Sequence, residues 1–190
     1  MILFVDACAR KGSRTRELAE AVLQNASSDG AEVRRVQLYD LDLKPLTEEV
    51  LAKRDEATKK GDFSDEFYDL AKEFSKADTV IIAAPYWDLS FPAILKLYIE
   101  HISINGITFM YDASGMPRGL CKGEKLYYVT TSGGEIGAYN FGYQYIKAVS
   151  EGLFGIRETV CYRAVGLDMD SVDADKVLSN AKERIAELVH

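Results

Sequence analysis

Several features that would settle a protein's class are scarce or missing in this chain. Only three cysteines occur in 190 residues. Cys8, Cys121 and Cys161 lie too far apart for a metal-ligand spacing or a disulfide framework. There are two histidines, His101 and His190, and neither stands in a catalytic arrangement. No apolar run reaches the length of a membrane span. No signal peptide is expected, because the first residues enter a strand at once. A cytoplasmic protein is the expectation. Cations are in deficit, at a net charge of -7. That balance argues against nucleic acid as a main partner. Two nucleotide-binding signatures are absent as well. The chain has no G-x-x-x-x-G-K-[ST] loop and no G-x-G-x-x-G turn, so a P-loop and a dinucleotide fingerprint are both excluded.

What is present is a regular alternation. Residues 1–6 are apolar and predict a buried strand. Helical spacing over 13–26 follows, with Gly30 as its stop. A second strand is expected over 31–38, then a polar stretch, 39–61, covering part of the surface. Phe63, Phe67, Leu70, Ala71 and Phe74 mark a helix. Residues 79–84, Thr-Val-Ile-Ile-Ala-Ala, are short and rich in β-branched side chains, as in a central parallel strand. Pro85 ends that strand. Pro92 suits the first turn of the next helix, whose stripe is Ile94, Leu95, Tyr98, Ile99 and Ile102. A strand at 125–131, a helix near 142–152, a strand near 158–164 and a helix near 173–189, started by Asp170 or Ser171, complete the order. Strands alternating with helices predict an α/β fold with a parallel sheet covered on both sides. With no repeat, linker or low-complexity segment, 1–190 is taken as one domain.

In such a fold, ligands bind beyond the carboxyl ends of the strands, where strand order reverses. Three loops leave that edge. The first, Ala9-Arg10-Lys11-Gly12-Ser13-Arg14-Thr15-Arg16, joins a strand to a helix start. Backbone N–H groups there point at an anion. Four of the chain's 23 cations fall in it, and cations at a helix N-terminus oppose the dipole unless an anion answers them. A merely solvated basic helix start is the alternative. The second loop, Pro85-Tyr86-Trp87-Asp88-Leu89-Ser90-Phe91, holds the one tryptophan; it suits either a flat ring or ordinary packing. The third, 131–141, has three glycines within five positions, which allow close backbone approach, or simply a surface turn. One phosphate, a flat ring and a polar ring edge together describe flavin mononucleotide.

These motifs resemble the flavodoxin-like family of FMN-dependent NAD(P)H:quinone oxidoreductases and azoreductases. Arg10–Thr15, Ala83–Leu89 and Thr131–Gly134 carry the resemblance, with Gly106-Ile107-Thr108-Phe109 and Tyr111, Gly119-Leu120 and Gly152–Ile156 as further matches. It covers nearly the whole chain. It implies a three-layer sandwich with a five-stranded parallel sheet in order 2-1-3-4-5, and a homodimer with active sites at the interface. It implies bound FMN, NAD(P)H as co-substrate and a quinone, azo compound or similar flat acceptor, reacting in ping-pong order.

By the same match, Ser13 and Thr15 bind the phosphate with Arg10 close by. Pro85, Tyr86, Trp87, Asp88 and Leu89 line the ring, mainly through backbone groups. Thr131, Ser132, Gly133 and Gly134 contact its pyrimidine side. Tyr139 stands where mammalian-type quinone reductases of the superfamily place an active-site tyrosine, although the azoreductase branch differs there. Tyr86-Trp87-Asp88-Leu89 departs from the Met-Tyr-Asn-Phe usual in that branch. Asp88 disfavours negative charge on the ring only if it is buried and ionised. Cys8 stands near a position where the branch has serine. A flavodoxin-type carrier that docks on partner proteins is the rival expectation. A receiver-like domain or a hydrolase built on Asp6 lacks the second acidic residue it needs.

Overall fold

A computed structural model describes residues 1–27 and 30–188; His190 lies outside the described residues. Among the described residues there are seven strands: β1 (Ile2–Asp6), β2 (Val33–Gln37), β3 (Thr79–Ala83), β4 (Phe109–Tyr111), β5 (Pro117–Gly119), β6 (Lys125–Thr131) and β7 (Glu158–Ala164). The helices are α1 (Arg14–Ala26), α2 (Glu48–Lys60), α3 (Asp69–Lys76), α4 (Ala93–Ile102), α5 (Phe141–Val149) and α6 (Ala174–Leu188). Five strands form one parallel sheet in the order β2-β1-β3-β6-β7. With the β4–β5 hairpin set aside, this is the expected order 2-1-3-4-5.

The strands alternate their side chains between two cores, as a period of two requires. Leu3, Val5, Val80, Ile82, Leu126 and Tyr128 face one core, with Phe74 of α3 and Leu95 and Tyr98 of α4. Phe4, Ile81, Tyr127 and Val129 face the other, with Leu18 and Val22 of α1 and Leu178 and Ile185 of α6. The sheet is therefore the middle of three layers, and its central strands are apolar on both faces.

Several elements differ from expectation. The polar stretch 39–61 contains α2. It buries no side chain, so it has no apolar stripe to betray it. Its caps were readable instead. Thr47 accepts from the Val50 N–H, Glu48 and Glu49 occupy the first turn, Lys59 and Lys60 the last, and Gly61 closes it at φ 64°. Arg54 and Thr58 dock α2, donating to the Ser103 and Asn105 carbonyls just past the end of α4. Phe63 and Phe67 precede α3 rather than belonging to it; Phe67 sits in a 3-10 turn over Glu66–Tyr68. Pro92 is the residue before α4, not in its first turn. α5 gives way to a π-helical turn over Ser150–Phe154. Asp173, not Asp170 or Ser171, caps α6 through the Lys176 N–H at 3.0 Å. β2 is shorter than expected, because Leu38 already turns into a 3-10 segment.

The β4–β5 hairpin was not expected as strands. It is held against the molecule at Gly119, where a Cβ would overlap the Phe154 carbonyl and the Gly155 nitrogen. Gly119→Ala is expected to lower stability by about 2–3 kcal/mol, since rigid backbone cannot yield as a side chain does. Urea denaturation checks this; an unchanged midpoint contradicts the packing described.

Candidate functional site

The strand order reverses between β1 and β3. α1 leaves β1 toward one core, while α4 follows β3 into the other. Helices that diverge in this way leave a crevice at the carboxyl ends of the strands. The observed crevice has a volume of about 220 Å³. Ala9, Arg10, Gly12, Ser13, Arg14 and Thr15 line it from the first loop, and Pro85, Tyr86 and Trp87 from the second. Thr131, Ser132 and Gly133 line it from the third, and Asp168 from a fourth loop, after β7.

The first loop is rich in unused donors. Among the described residues, no N–H from Ala9 to Thr15 donates to a protein acceptor. Free N–H groups beside a helix start are suited to an anion, and all of these residues but Lys11 line the crevice. Ser13 is the N-cap: its oxygen accepts from the Arg16 N–H at 3.3 Å, which leaves its own O–H free to donate. Thr15 is buried, and its hydroxyl meets that of Thr131 at 2.6 Å. One hydroxyl donates to the other, so the pair keeps one O–H for a ligand.

The four cations are not equivalent. Arg16 turns inward to the buried carboxylate of Asp6. That hydrogen bond, before any other cause, raises the pKa of its guanidinium. Arg14 donates to the Leu167 carbonyl at 2.8 Å and pairs with Asp168. Among the described residues, only Arg10 and Lys11 of the four pair with no carboxylate. The protein's own carboxylates thus answer part of the charge that the sequence left for a ligand.

The second loop reverses tightly. Trp87 and Ser90 exchange two backbone hydrogen bonds, of 3.1 and 2.8 Å. Asp88 and Leu89 between them have φ of 49° and 65°. The N–H groups of Tyr86 and Trp87 are therefore committed, to Thr131 and Ser90. Asp88 and Leu89 are exposed and do not line the crevice. Of the backbone expected to line the ring over 86–89, the N–H groups of Tyr86 and Trp87 are thus used within the protein, while the Tyr86 carbonyl accepts from no described protein donor. The Tyr86 hydroxyl donates to the Tyr139 carbonyl at 2.7 Å and so ties the aromatic loop to the glycine loop. The Tyr139 ring itself is 59% exposed.

In the third loop, the Ser132 hydroxyl donates to the Gly134 carbonyl at 2.5 Å. Gly133 faces the crevice; a Cβ there would strike the Asp168 carboxylate. Its N–H and that of Gly134 donate to no described protein acceptor. Gly134 is exposed and outside the lining. Sequence reasoning put Ala9, Gly12 and Arg14 in the phosphate loop without assigning them a ligand contact, and it did not place Asp168 at the site. Asp168 had a signal, since Gly166-Leu167-Asp168 leaves the last strand at the same sheet edge. Cys8 is buried behind the loop, and burial pushes its thiol up to about 12. It is a packing residue, not a nucleophile. His101 contacts the Lys44 carbonyl at 2.8 Å on α4 and takes no part in the crevice.

A family model described as flavodoxin-like fold matches residues 1–189. An FMN-dependent NADH:quinone oxidoreductase 2 of Clostridium acetobutylicum is 32% identical over 98% of this chain and 96% of its own. An FMN-dependent NADH:quinone oxidoreductase of Lachnoclostridium phytofermentans is 36% identical over 75% of this chain and 70% of its own. Among solved structures, an FMN-dependent NADH-azoreductase from Bacillus anthracis in complex with FMN superposes with a TM-score of 0.81 at 23% identity. That alignment covers 99% of this chain and 96% of the other, and it speaks to the fold.

Positive φ strains a β-carbon, and leucine has no means of relieving it. Leu89→Gly is expected to raise stability by about 1 kcal/mol, less the extra freedom glycine gives the unfolded chain. A denaturation midpoint that falls instead shows that the Leu89 side chain holds the turn.

Proposed function

The chain belongs to the flavodoxin-like family, and on that premise we propose that it is an FMN-dependent oxidoreductase carrying hydride from NAD(P)H to a quinone, azo compound or similar flat acceptor. The observation that carries the reading is the run of seven unpaired N–H groups, with two hydroxyls able to donate, at the point where strand order reverses. Those donors suit a phosphate group. Bound FMN supplies the two-electron hydride chemistry, which no side chain of this crevice provides.

The residues do the rest. Ser13, Thr15 and the N–H groups of the first loop would hold the phosphate, with Arg10 adding positive potential. Pro85, Tyr86 and Trp87 would flank the flat ring, and the exposed Trp87 and Tyr139 surfaces offer apolar area to an incoming flat reactant. Thr131, Ser132 and Gly133 would meet the polar ring edge, with the free N–H groups of Gly133 and Gly134 available as donors. One crevice serves both reactants in turn, which is the basis of a ping-pong order.

The homodimer belongs to the same proposal. Trp87, Leu89, Tyr139 and Phe141, and Met110, Tyr111 and Met116 on the hairpin, are exposed apolar side chains. Apolar area of that extent supports burial against a second copy. Among the described residues no helix is long and apolar enough to cross a membrane. We propose a cytoplasmic location.

Purified protein is expected to bind FMN, seen as quenching of flavin fluorescence, and to turn over NADH with a quinone without any partner reductase. Absence of FMN binding removes the proposal; binding without turnover replaces it with an electron carrier that docks on other proteins. Light scattering with FMN bound is expected to give twice the chain mass, and a monomer at micromolar concentration contradicts the dimer.

A further inference from the structure

We propose that Arg16 is a positioning residue that sets the phosphate loop without touching the phosphate, an inference that rests on the flavin reading above. Four of the five N–H donors of its guanidinium are used inside the protein. Nε donates to the Asp6 carboxylate. Nη1 donates to the Arg10 carbonyl at 2.9 Å and to the Lys11 carbonyl at 2.7 Å, and Nη2 to the Cys8 carbonyl at 2.9 Å. A trans peptide directs its C=O and its N–H to opposite sides. Three carbonyls drawn onto Arg16 therefore turn the N–H groups of Ala9, Lys11 and Gly12 away from it. Ala9 and Gly12 line the crevice, and the N–H of neither donates to any described protein acceptor.

The anchor of this clamp is rigid. Asp6 ends β1, is 6% exposed, and its carboxylate also accepts from the Cys8 N–H at 2.8 Å and from Gln37 Nε2 at 3.0 Å. Gln37 ends β2. Two adjacent strand ends thus fix a carboxylate, the carboxylate fixes a guanidinium in the first turn of α1, and the guanidinium fixes the loop. Arg16 spends its charge on Asp6, so its contribution is loop shape and not attraction.

The test compares FMN with riboflavin, which has the same ring and no phosphate. Arg16→Gln keeps polarity and removes the fork. Its dissociation constant for FMN is expected to rise about ten- to hundredfold, the range for losing oriented hydrogen bonds to an ionised group. Its constant for riboflavin is expected to stay within about twofold, a difference too small to reflect a lost hydrogen bond. Arg16→Lys carries the charge without the planar fork and is expected to recover only part of the FMN preference. The proposal is overturned if Arg16→Gln weakens both ligands equally, leaves FMN unaffected, or if Arg16→Lys restores FMN affinity fully. If Arg16→Gln does not fold, the Arg16→Lys ratio of FMN to riboflavin affinity decides: wild-type preference overturns the proposal and a reduced one supports it. Wild-type protein that binds neither ligand fails the flavin reading instead, and is told apart from these outcomes at once.

Discussion

The side-by-side pairing of β1 with β3 is the constraint on which this molecule depends. Asp6 lies opposite Ala83 in that pairing, so the two strands end level and their loops start from one edge. The chain then departs to opposite faces, α1 into one core and α4 into the other. β6 extends the same edge: Tyr86 and Thr131 share a backbone hydrogen bond of 3.0 Å beyond the last paired residues of β3. Three loops of unrelated composition are thereby brought into one crevice. Apolar side chains on both faces hold the central strands in place, and the polar groups at their ends inherit that rigidity.

Electrostatics inside the crevice are quieter than its sequence suggests. The loop 9–16 holds four cations, yet Asp6 and Asp168 neutralise two of them. What faces the ligand is mostly main chain and hydroxyl. Such donors carry partial charges in fixed directions, and they need no reorganisation when an anion arrives. A site of this kind selects by shape and hydrogen-bond count. Arg10 and Lys11, which pair with no described carboxylate, can still raise the local potential in a chain whose net charge is -7.

The layered fold was legible because each buried strand and most helices carry their own periodicity. Residues 79–84 and 125–131 needed no context to be recognised as strands. α2 was not legible by that signal, since a helix docked by Arg54 and Thr58 needs no apolar stripe. Its caps, Thr47 and Gly61, were the signal that remained. At the site, residue types showed which loops mattered but not which way each group points. Arg16 and Arg10 look alike in sequence, and only the buried Asp6, ten residues before Arg16, separates them. Asp168 escaped for a related reason: its relevance comes from Gly133, a neighbour in space and remote in the chain.

Asp88 shows how orientation bears on a question that composition raises. A buried carboxylate against the ring would oppose negative charge on it. Asp88 is exposed instead, on a reversal whose two central residues need positive φ. Aspartate tolerates that conformation better than most residues, because its short polar side chain hydrogen-bonds locally. In water, a carboxylate outside the crevice is screened within about 8 to 10 Å at ordinary salt. Turn geometry therefore accounts for an aspartate at position 88. The same turn holds Trp87, whose N–H and carbonyl both bond to Ser90 and which lines the crevice. What the strained reversal gains is a fixed main chain at Trp87, and its position depends in turn on the level ends of β1, β3 and β6.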